Sequence, residues 1–282
     1  MSSRVLVLGA TGTLGTPVVR SLADRDHTVR VLARSPEKAH QIFGRTVEVV
    51  EGDSTDRDQL RRALVGCDAV HISLPTESEL AAMRHVIELA STVGLQRISY
   101  VSGTSVRAEN RWFEVVDVKL KAEDLLRGSG IPYTVFCPTW VMEVLPNFIK
   151  GDRAVVIVGK NPPGFHFFAA ADFGRMVANS FEDDRALGRR LFIHGPEGLT
   201  LPQALRAYHE ACHPQLRLTY LKLFQARLVA KITRQKSMES VTRLIAYFDK
   251  TEEGGNPSEA DSLLGAPTTT LADWIEIQKR QS

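Results

Sequence analysis

The chain predicts an α/β fold: a doubly wound parallel sheet with a small C-terminal α+β lobe. Two observations carry that expectation. Short apolar runs alternate with amphipathic runs through the first half of the 282 residues. The connections between them are short, which calls for parallel strands covered by helices on both faces.

The first strand reads as Val5 to Leu8 and runs into glycines at 9, 12 and 15. An amphipathic helix, Pro17 to Ala23, follows. The second strand is Thr28 to Ala33 and the third is Val47 to Val50. A helix over Asp56 to Leu64 precedes a fourth strand, Ala69 to Ser73. Glu79 to Val93 carries apolar residues at helical spacing. Arg97 to Val101 is the fifth strand, Glu114 to Arg127 a helix closed by Gly128-Ser-Gly130, and Tyr133 to Phe136 the sixth strand. The pattern then changes. Val141 to Ile149 reads as helical, Ala154 to Val158 as a short strand and Gly159 to Gly164 as a loop. Asp172 is placed as the cap of a helix to Phe181. Arg190 to His194 is a strand, Thr200 caps a helix through Cys212, and Leu221 to Phe248 is mostly helical. Glu252 to Glu259 is a polar loop before a last helix, Thr270 to Gln278.

Strand, glycine turn and helix together point to a ligand. Glycine allows the turn's dihedrals and lets the backbone approach a bound group closely. The first turn of a helix offers unpaired N–H groups and a positive dipole end, which bind phosphate. Gly9, Thr11, Gly12, Thr13, Leu14 and Gly15 therefore read as a dinucleotide-binding turn, with the spacing G-x-x-G-x-x-G. An acid at the end of the second strand would hold the ribose 2′-hydroxyl of NAD, whereas an Arg there accommodates the 2′-phosphate of NADP. That end carries Arg34 and Ser35, with Lys38 one helical turn on. The expected cofactor is NADP(H) in preference to NAD(H), and the alternative reading of these cations is a solvated helix start. Residues 1–150 are expected to form this NAD(P)-binding Rossmann domain. Residues 151–282 form a smaller substrate or partner lobe, with 165–200 returning to the Rossmann core.

Composition excludes other classes. A net charge of +2 leaves no electrostatic footprint for nucleic acid. The cations Lys222, Arg227, Lys231, Arg234 and Lys236 are interleaved with apolar residues and read as a solvated helix face. Cys67, Cys137 and Cys212 form neither a zinc spacing nor a disulfide framework. No run reaches bilayer length and no signal segment opens the chain, so a cytoplasmic protein is expected. His209 and His213 lie four apart without an evident third ligand, so no metal is expected. His166, between Phe165 and Phe167, reads as a satisfied structural histidine.

A resemblance to the atypical, NmrA-like branch of the short-chain dehydrogenase/reductases is carried by several segments. They are Gly9-Ala-Thr-Gly-Thr-Leu-Gly15, Val29 to Lys38, Glu51-Gly-Asp53, Tyr100-Val-Ser-Gly103, Lys119-Leu-Lys-Ala-Glu123 and Ser129 to Pro138. Asp172-Phe-Gly-Arg175 and Gly195 to Thr200 extend it over nearly the whole chain. The resemblance implies that Asp53, with Ser54 beside it, meets the adenine, although an Asx-type turn beside Gly52 is an equal reading of Asp53. It further implies that Ser73, Leu74 and Pro75 pass near the adenosine ribose. Pro138, Thr139, Trp140 and Val141 would pass the nicotinamide, with Trp140 and Met142 either lining a pocket there or forming core.

Family enzymes typically carry Tyr-x-x-x-Lys on the helix after the fifth strand. Four residues apart, the two side chains share a face, and the lysine lowers the tyrosine's pKa for proton transfer. Lys119 matches the lysine, but position 115 is Val115. The resemblance thus implies that Lys119 anchors the nicotinamide ribose and that Ser102 or Thr104 orients an acceptor. Ordinary alcohol and ketone chemistry is disfavoured. The expected activity is hydride transfer to a small conjugated acceptor such as a quinone or enone. The alternative is a non-catalytic NADP(H)-binding redox sensor with a regulatory protein partner.

Overall fold

The computed structural model describes residues 2–150, 153–160, 162–233 and 236–281. The chain runs β1 (Arg4–Leu8), α1 (Gly15–Ala23), β2 (Thr28–Ala33), α2 (Pro36–Phe43), β3 (Glu48–Glu51), α3 (Arg57–Leu64), β4 (Ala69–Ile72) and α4 (Thr76–Val93). It continues through β5 (Arg97–Val101), α5 (Glu114–Gly128), β6 (Tyr133–Pro138), β7 (Ile149–Lys150), β8 (Arg153–Val158), β9 (Gly164–Phe167), α6 (Ala170–Glu182) and β10 (Arg189–Ile193). The remaining elements are β11 (Glu197–Thr200), α7 (Leu201–Cys212), β12 (Arg217–Lys222), α8 (Leu223–Thr233), α9 (Lys236–Phe248), α10 (Ser258–Leu264) and α11 (Leu271–Gln281). Arg234 of the expected cationic face and Asn161 of the expected loop lie outside the described residues. Lys222, Arg227 and Lys231 are exposed.

Two compact units emerge. Unit 1 is Met1–Pro138, Ala170–Ile193 and Asn256–Pro267, and unit 2 is Thr139–Ala169, His194–Gly255 and Thr268–Ser282. The first border thus falls at Pro138, not at residue 150, and the segment returning to unit 1 is Ala170–Ile193, joined by Asn256–Pro267. Among the described residues no helix is long and apolar enough to cross a membrane.

Unit 1 is built on a seven-stranded sheet in the order β10-β6-β5-β4-β1-β2-β3. Every pairing in it is parallel. Leu8 at the end of β1 stands opposite Leu32 on one side and Ile72 on the other. Val5 to Leu8 are all fully buried, which is why the run is apolar without alternation. Leu6 and Leu8 join Leu60 of α3, Val86 of α4 and Leu126 of α5 in one core cluster. On the other face, α1 and α6 cross so closely that a Cβ at Gly174 would lie 2.5 Å from the Pro17 carbonyl oxygen. Phe173 of α6 meets Phe136 edge-on at 5.8 Å. The strand order reverses direction between β1 and β4, the switch point where such sheets place their ligands.

Local chemistry sets the helix starts. Ser35 caps α2 with Pro36 in its first turn, and Asp56 Oδ1 accepts from the N–H groups of Asp58 and Gln59 at 3.0 Å. Thr200 forms a capping box with Gln203. Asp172 is not a cap: α6 begins at Ala170, and Asp172 sits inside its first turn, where Oδ1 accepts from Arg175 Nη2 at 3.1 Å. Pro146 turns the expected helix after Val141 into a 3-10 segment, Met142–Phe148. Strand β12 takes in Leu221 and Lys222 from the stretch expected to be helical, and helix α10 takes in Ser258 and Glu259 from the expected loop; the rest of both elements had no sequence assignment, and neither has the clear period that long elements show.

In unit 2, β8 pairs with β12 in parallel and with β7 antiparallel, and β9 pairs antiparallel with β11. Trp140, Phe165 and Phe248 pack together, with ring centroids 4.8 to 6.1 Å apart.

His71 of β4 is fully buried, with Nδ1 2.8 Å from the Ser99 hydroxyl, and burial pushes its imidazole down to about 3. The folded chain keeps it neutral, whereas the unfolded chain takes up a proton below roughly 6.5. Its contribution to stability is complete above the unfolded value and is lost as pH falls from there toward the folded value. His71→Gln keeps a neutral partner for Ser99. In urea unfolding at pH 7.5 and pH 5.0 the variant should lose on the order of 2 kcal/mol less than the parent on acidification. Equal losses would contradict a buried neutral His71.

Candidate functional site

The glycine turn lies at the carboxyl end of β1, beside the ends of β2, β3 and β4. A cleft of about 690 Å³ opens there. The turn contributes Gly9, Thr11 and Gly12; the end of β2 contributes Arg34 and Lys38; β3 leads to Asp53 and Ser54; β4 leads to Ser73 and Leu74. Nine expected cofactor residues, drawn from separate loops, thus meet around one space.

Each glycine answers a different steric demand. Gly9 has φ +82°, and a Cβ on it would fall 1.9 Å from the Ser73 carbonyl oxygen. A Cβ on Gly15 would fall 2.2 Å from the Gly9 carbonyl oxygen. Gly12 differs. Within 4 Å its Cβ would meet the Gly9 carbonyl oxygen alone, at 3.2 Å. Packing is therefore less restrictive at Gly12, where the Gly9 carbonyl would have to give by only a few tenths of an ångström. Thr13, Leu14 and Gly15 are not in the cleft lining: Gly15 begins α1, with Leu14 at its N-cap position and no side-chain cap there. An uncapped helix start and a cradle that a Cβ would fill both suit a pyrophosphate.

Arg34 and Lys38 are exposed at the cleft. Ser35 is not in its lining: its hydroxyl accepts from the Lys38 N–H at 3.4 Å and lies 3.3 Å from Glu37 Oε2. Asp53 Oδ1 accepts from both the N–H and the hydroxyl of Thr55 at 2.8 Å, an Asx-type turn. Those bonds, with a smaller contribution from Arg34, hold its carboxyl below the usual range, so it stays anionic beside the cleft. Pro75, expected with Ser73 and Leu74 near the adenosine ribose, is also in the lining, whereas Thr55, Glu77 and Ser78 are additions that the sequence did not suggest. Helix α4 begins at Thr76, earlier than expected, and so brings Glu77 and Ser78 to the rim. Pro75 just before that start was the available signal.

Lys119 and Ser102 are not in the cleft lining; each is tied to a buried carboxylate. Lys119 Nζ donates to Glu79 Oε2 and to the Val101 carbonyl oxygen, both at 3.0 Å. Glu79 is 1 % exposed and also accepts from the Tyr100 hydroxyl. Burial and Glu79 raise the Tyr100 phenol far above its ordinary value, so it holds its proton. The Ser102 hydroxyl donates to Glu123, which Arg190 Nε also meets at 3.1 Å. Val115 and Lys119 both lie on α5, four residues apart, as expected. Pro138 ends β6 in unit 1, whereas Thr139, Trp140 and Val141 belong to unit 2. Trp140 and Met142 are part of the unit 2 core.

Comparison with known proteins agrees with this geometry. Residues 9–184 match the family described as NAD(P)H-binding. The chain is 30 % identical to a (4-alkanoyl-5-oxo-2,5-dihydrofuran-3-yl)methyl phosphate reductase of Streptomyces griseus, over 96 % of each chain. It is 26 % identical to quinone oxidoreductase 2 of Escherichia coli, over 96 % of this chain and 97 % of that one. Among solved structures, an Escherichia coli NADPH-dependent quinone oxidoreductase complexed with NADPH shares the fold at TM-score 0.77 and 23 % identity, covering 97 % and 99 % of the two chains. A Staphylococcus aureus nucleoside-diphosphate-sugar epimerase does so at TM-score 0.77 and 19 % identity, covering 98 % and 100 %.

The glycine analysis separates fold from binding. Gly12→Val leaves packing nearly intact but fills the cradle, so NAD(P)H affinity measured by calorimetry should fall about 100-fold or more, with the melting temperature little changed. Gly9→Ala should lower the melting temperature itself. Unchanged NAD(P)H affinity in Gly12→Val would remove the turn from the site.

Proposed function

The chain belongs to the NAD(P)H-binding family and resembles its atypical short-chain dehydrogenase/reductases. From that membership we propose an NADP(H)-dependent oxidoreductase that passes hydride to a small conjugated acceptor such as a quinone or enone. The observation that carries the reading is Val115 on α5, where a proton-exchanging phenol would stand four residues before Lys119. The nearby Tyr100 does not replace it, because its hydroxyl is committed to Glu79 in the core. A ketone needs a proton as well as a hydride, whereas an electron-poor conjugated acceptor accepts hydride with positioning and a hydrogen bond. Two relatives named for a quinone and for an oxo-dihydrofuran support this acceptor class.

When bound, the nicotinamide supplies the hydride. The chain's residues bind and orient. The Gly9–Gly15 turn and the start of α1 hold the pyrophosphate, and Arg34 with Lys38 holds the 2′-phosphate. Asp53, Ser54, Ser73 and Leu74 border the adenosine. Lys119 has three N–H donors; Glu79 and Val101 engage two, and the third serves the nicotinamide ribose. Ser102 lends its hydroxyl to the acceptor only by releasing Glu123. That inward commitment of both Lys119 and Ser102 favours the second reading, an NADP(H)-binding redox sensor with a protein partner. The three cysteines are all free thiols, which suits a reducing cytoplasm.

Charge-assisted hydrogen bonds contribute roughly 1.5–3 kcal/mol each. Arg34→Ala should therefore weaken NADPH binding by about 10- to 100-fold while changing NADH binding little. Equal losses for both would detach Arg34 from the 2′-phosphate.

Acceptor chemistry is tested by following NADPH absorbance with quinones, enones, ketones and alcohols. Turnover should be confined to quinones or enones. Brisk ketone reduction would overturn the acceptor class. Tight NADPH binding without turnover, accompanied by a cofactor-dependent change in protease sensitivity, would establish the sensor instead.

A further inference from the structure

We propose that His166, His194 and Glu253 of unit 2 form a binding site for a divalent transition-metal ion of the zinc type. The three residues each offer a ligand atom, and these atoms lie within 4.8 Å of one another. Two imidazoles and a carboxylate are a donor set that zinc and nickel favour over calcium or magnesium.

The hydrogen bonds around the cluster set its polarity. His194 Nε2 lies 3.1 Å from the Gly254 carbonyl oxygen, which can only accept, so Nε2 carries the proton. In the neutral ring, Nδ1 then presents a lone pair, and it faces Glu253 Oε2 at 3.7 Å. Two acceptors point at each other, at a distance too long for a hydrogen bond in either protonation state. Two ligand atoms that bind one tetrahedral ion through bonds of roughly 2.0–2.1 Å stand about 3.3–3.4 Å apart, so a shift of a few tenths of an ångström brings this pair to ligand spacing. His166 Nδ1 donates a hydrogen bond to the same Oε2, and an ion entering the cluster takes the place of that proton. A carbonyl fixing the tautomer of a ligating imidazole is the usual outer support of a metal site.

The backbone holds these groups in place. Gly195 donates its N–H to the His166 carbonyl oxygen at 2.9 Å, and a Cβ on it would lie 1.7 Å from the Phe167 carbonyl oxygen. His166 and His194 are thereby fixed side by side, their rings stacked at 5.4 Å and 12°. Gly198 stands opposite His166 across the β9–β11 pair, where a Cβ would come within 3.3 Å of His166 Nε2. Glu253 is pinned by the His166 N–H, which donates to Oε1 at 3.0 Å. The His166 side chain is 46 % exposed, so water can complete the coordination. An ion here would join β9, the chain following β10 and the loop after α9. Positions 166, 194 and 253 are too far apart in the chain to form a short-spaced ligand motif, so the sequence pattern alone does not mark the cluster. His166 is the satisfied histidine expected, bonded through Nδ1 to Glu253, although its side chain is half-exposed.

The test uses the full chain after chelator treatment, titrated with Zn²⁺ by calorimetry and with Co²⁺ by visible absorption at pH 7.5. One ion should bind per chain, and Zn²⁺ should raise the melting temperature. His166→Ala, at a half-exposed position, should weaken both ions at least 100-fold and abolish the thermal shift. His194→Ala and Glu253→Gln should do the same. His209→Ala should bind as the parent does, since His209 Nε2 is engaged by the Leu216 carbonyl oxygen in another part of unit 2. No binding up to millimolar Zn²⁺, or binding that His166→Ala leaves intact, overturns the proposal.

Discussion

Unit 1 depends on the close passage of the β1–α1 turn against the end of β4. A side chain at Gly9 would collide with the Ser73 carbonyl at 1.9 Å, and Ser73 N–H in turn donates to the Leu8 carbonyl at 3.0 Å. That contact ties the turn to the sheet at the point where the strand order reverses. The turn then closes on itself: Gly12 N–H donates to the Gly9 carbonyl at 3.0 Å, and Gly15 begins α1 against that same carbonyl. Helix α1 thus starts three residues beyond the cleft-lining Gly12, with no side-chain cap and with the Thr16 N–H donating to the Gly12 carbonyl at 3.0 Å. The shape of the turn follows from steric exclusion at Gly9 and Gly15, with more room left at Gly12.

Behind the cleft, two carboxylates shape the chemistry. Glu79 and Glu123 are 1 % and 4 % exposed. Each is compensated, one by Lys119 and Tyr100, the other by Arg190 and Ser102. Burying such pairs adds little net stability, but removing one partner costs about 3–5 kcal/mol. The arrangement therefore specifies geometry: it holds α4 and α5 in register over β5. It also restricts proton traffic. Tyr100 keeps its proton, and the Ser102 hydroxyl donates away from any acceptor. A site built this way has strong means of positioning and weak means of proton transfer, which is the balance that hydride acceptors with low-lying empty orbitals tolerate.

The sheet and the cofactor cleft were legible because their signals are local. A buried parallel strand needs an unbroken apolar run, a phosphate turn needs glycines at its start, and Arg34, Asp53 and Ser73 each follow directly from a strand end. Glu77 and Ser78 were missed because helix onset was read from the first periodic apolar residues, while Pro75 had already fixed it. The pairs Glu79–Lys119 and Ser102–Glu123 were invisible for another reason. Their members lie on different elements, and only the packed sheet brings them together. Trp140 illustrates a third limit. Its size and polarity suit a pocket wall and a core equally, and the neighbours Phe165 and Phe248 that make it core lie far along the chain.

Charge in the cleft is more balanced than Arg34 and Lys38 alone suggest. Asp53 and Glu77 line the same space. Asp53 is held ionised chiefly by its bonds to Thr55, so it stays anionic whether or not a ligand is present. Arg34 acts on Asp53 electrostatically, and a phosphate dianion must compete with that carboxylate for the guanidinium. Lys38, exposed in the first turn of α2, then adds a second cation at the same rim. Because Arg34 and Lys38 face solvent, their attraction for a phosphate is screened within about 8 Å at physiological ionic strength. A phosphate at this rim would therefore be held by short, charge-assisted hydrogen bonds at contact distance. The long-range field of a nearly neutral cleft contributes little to it.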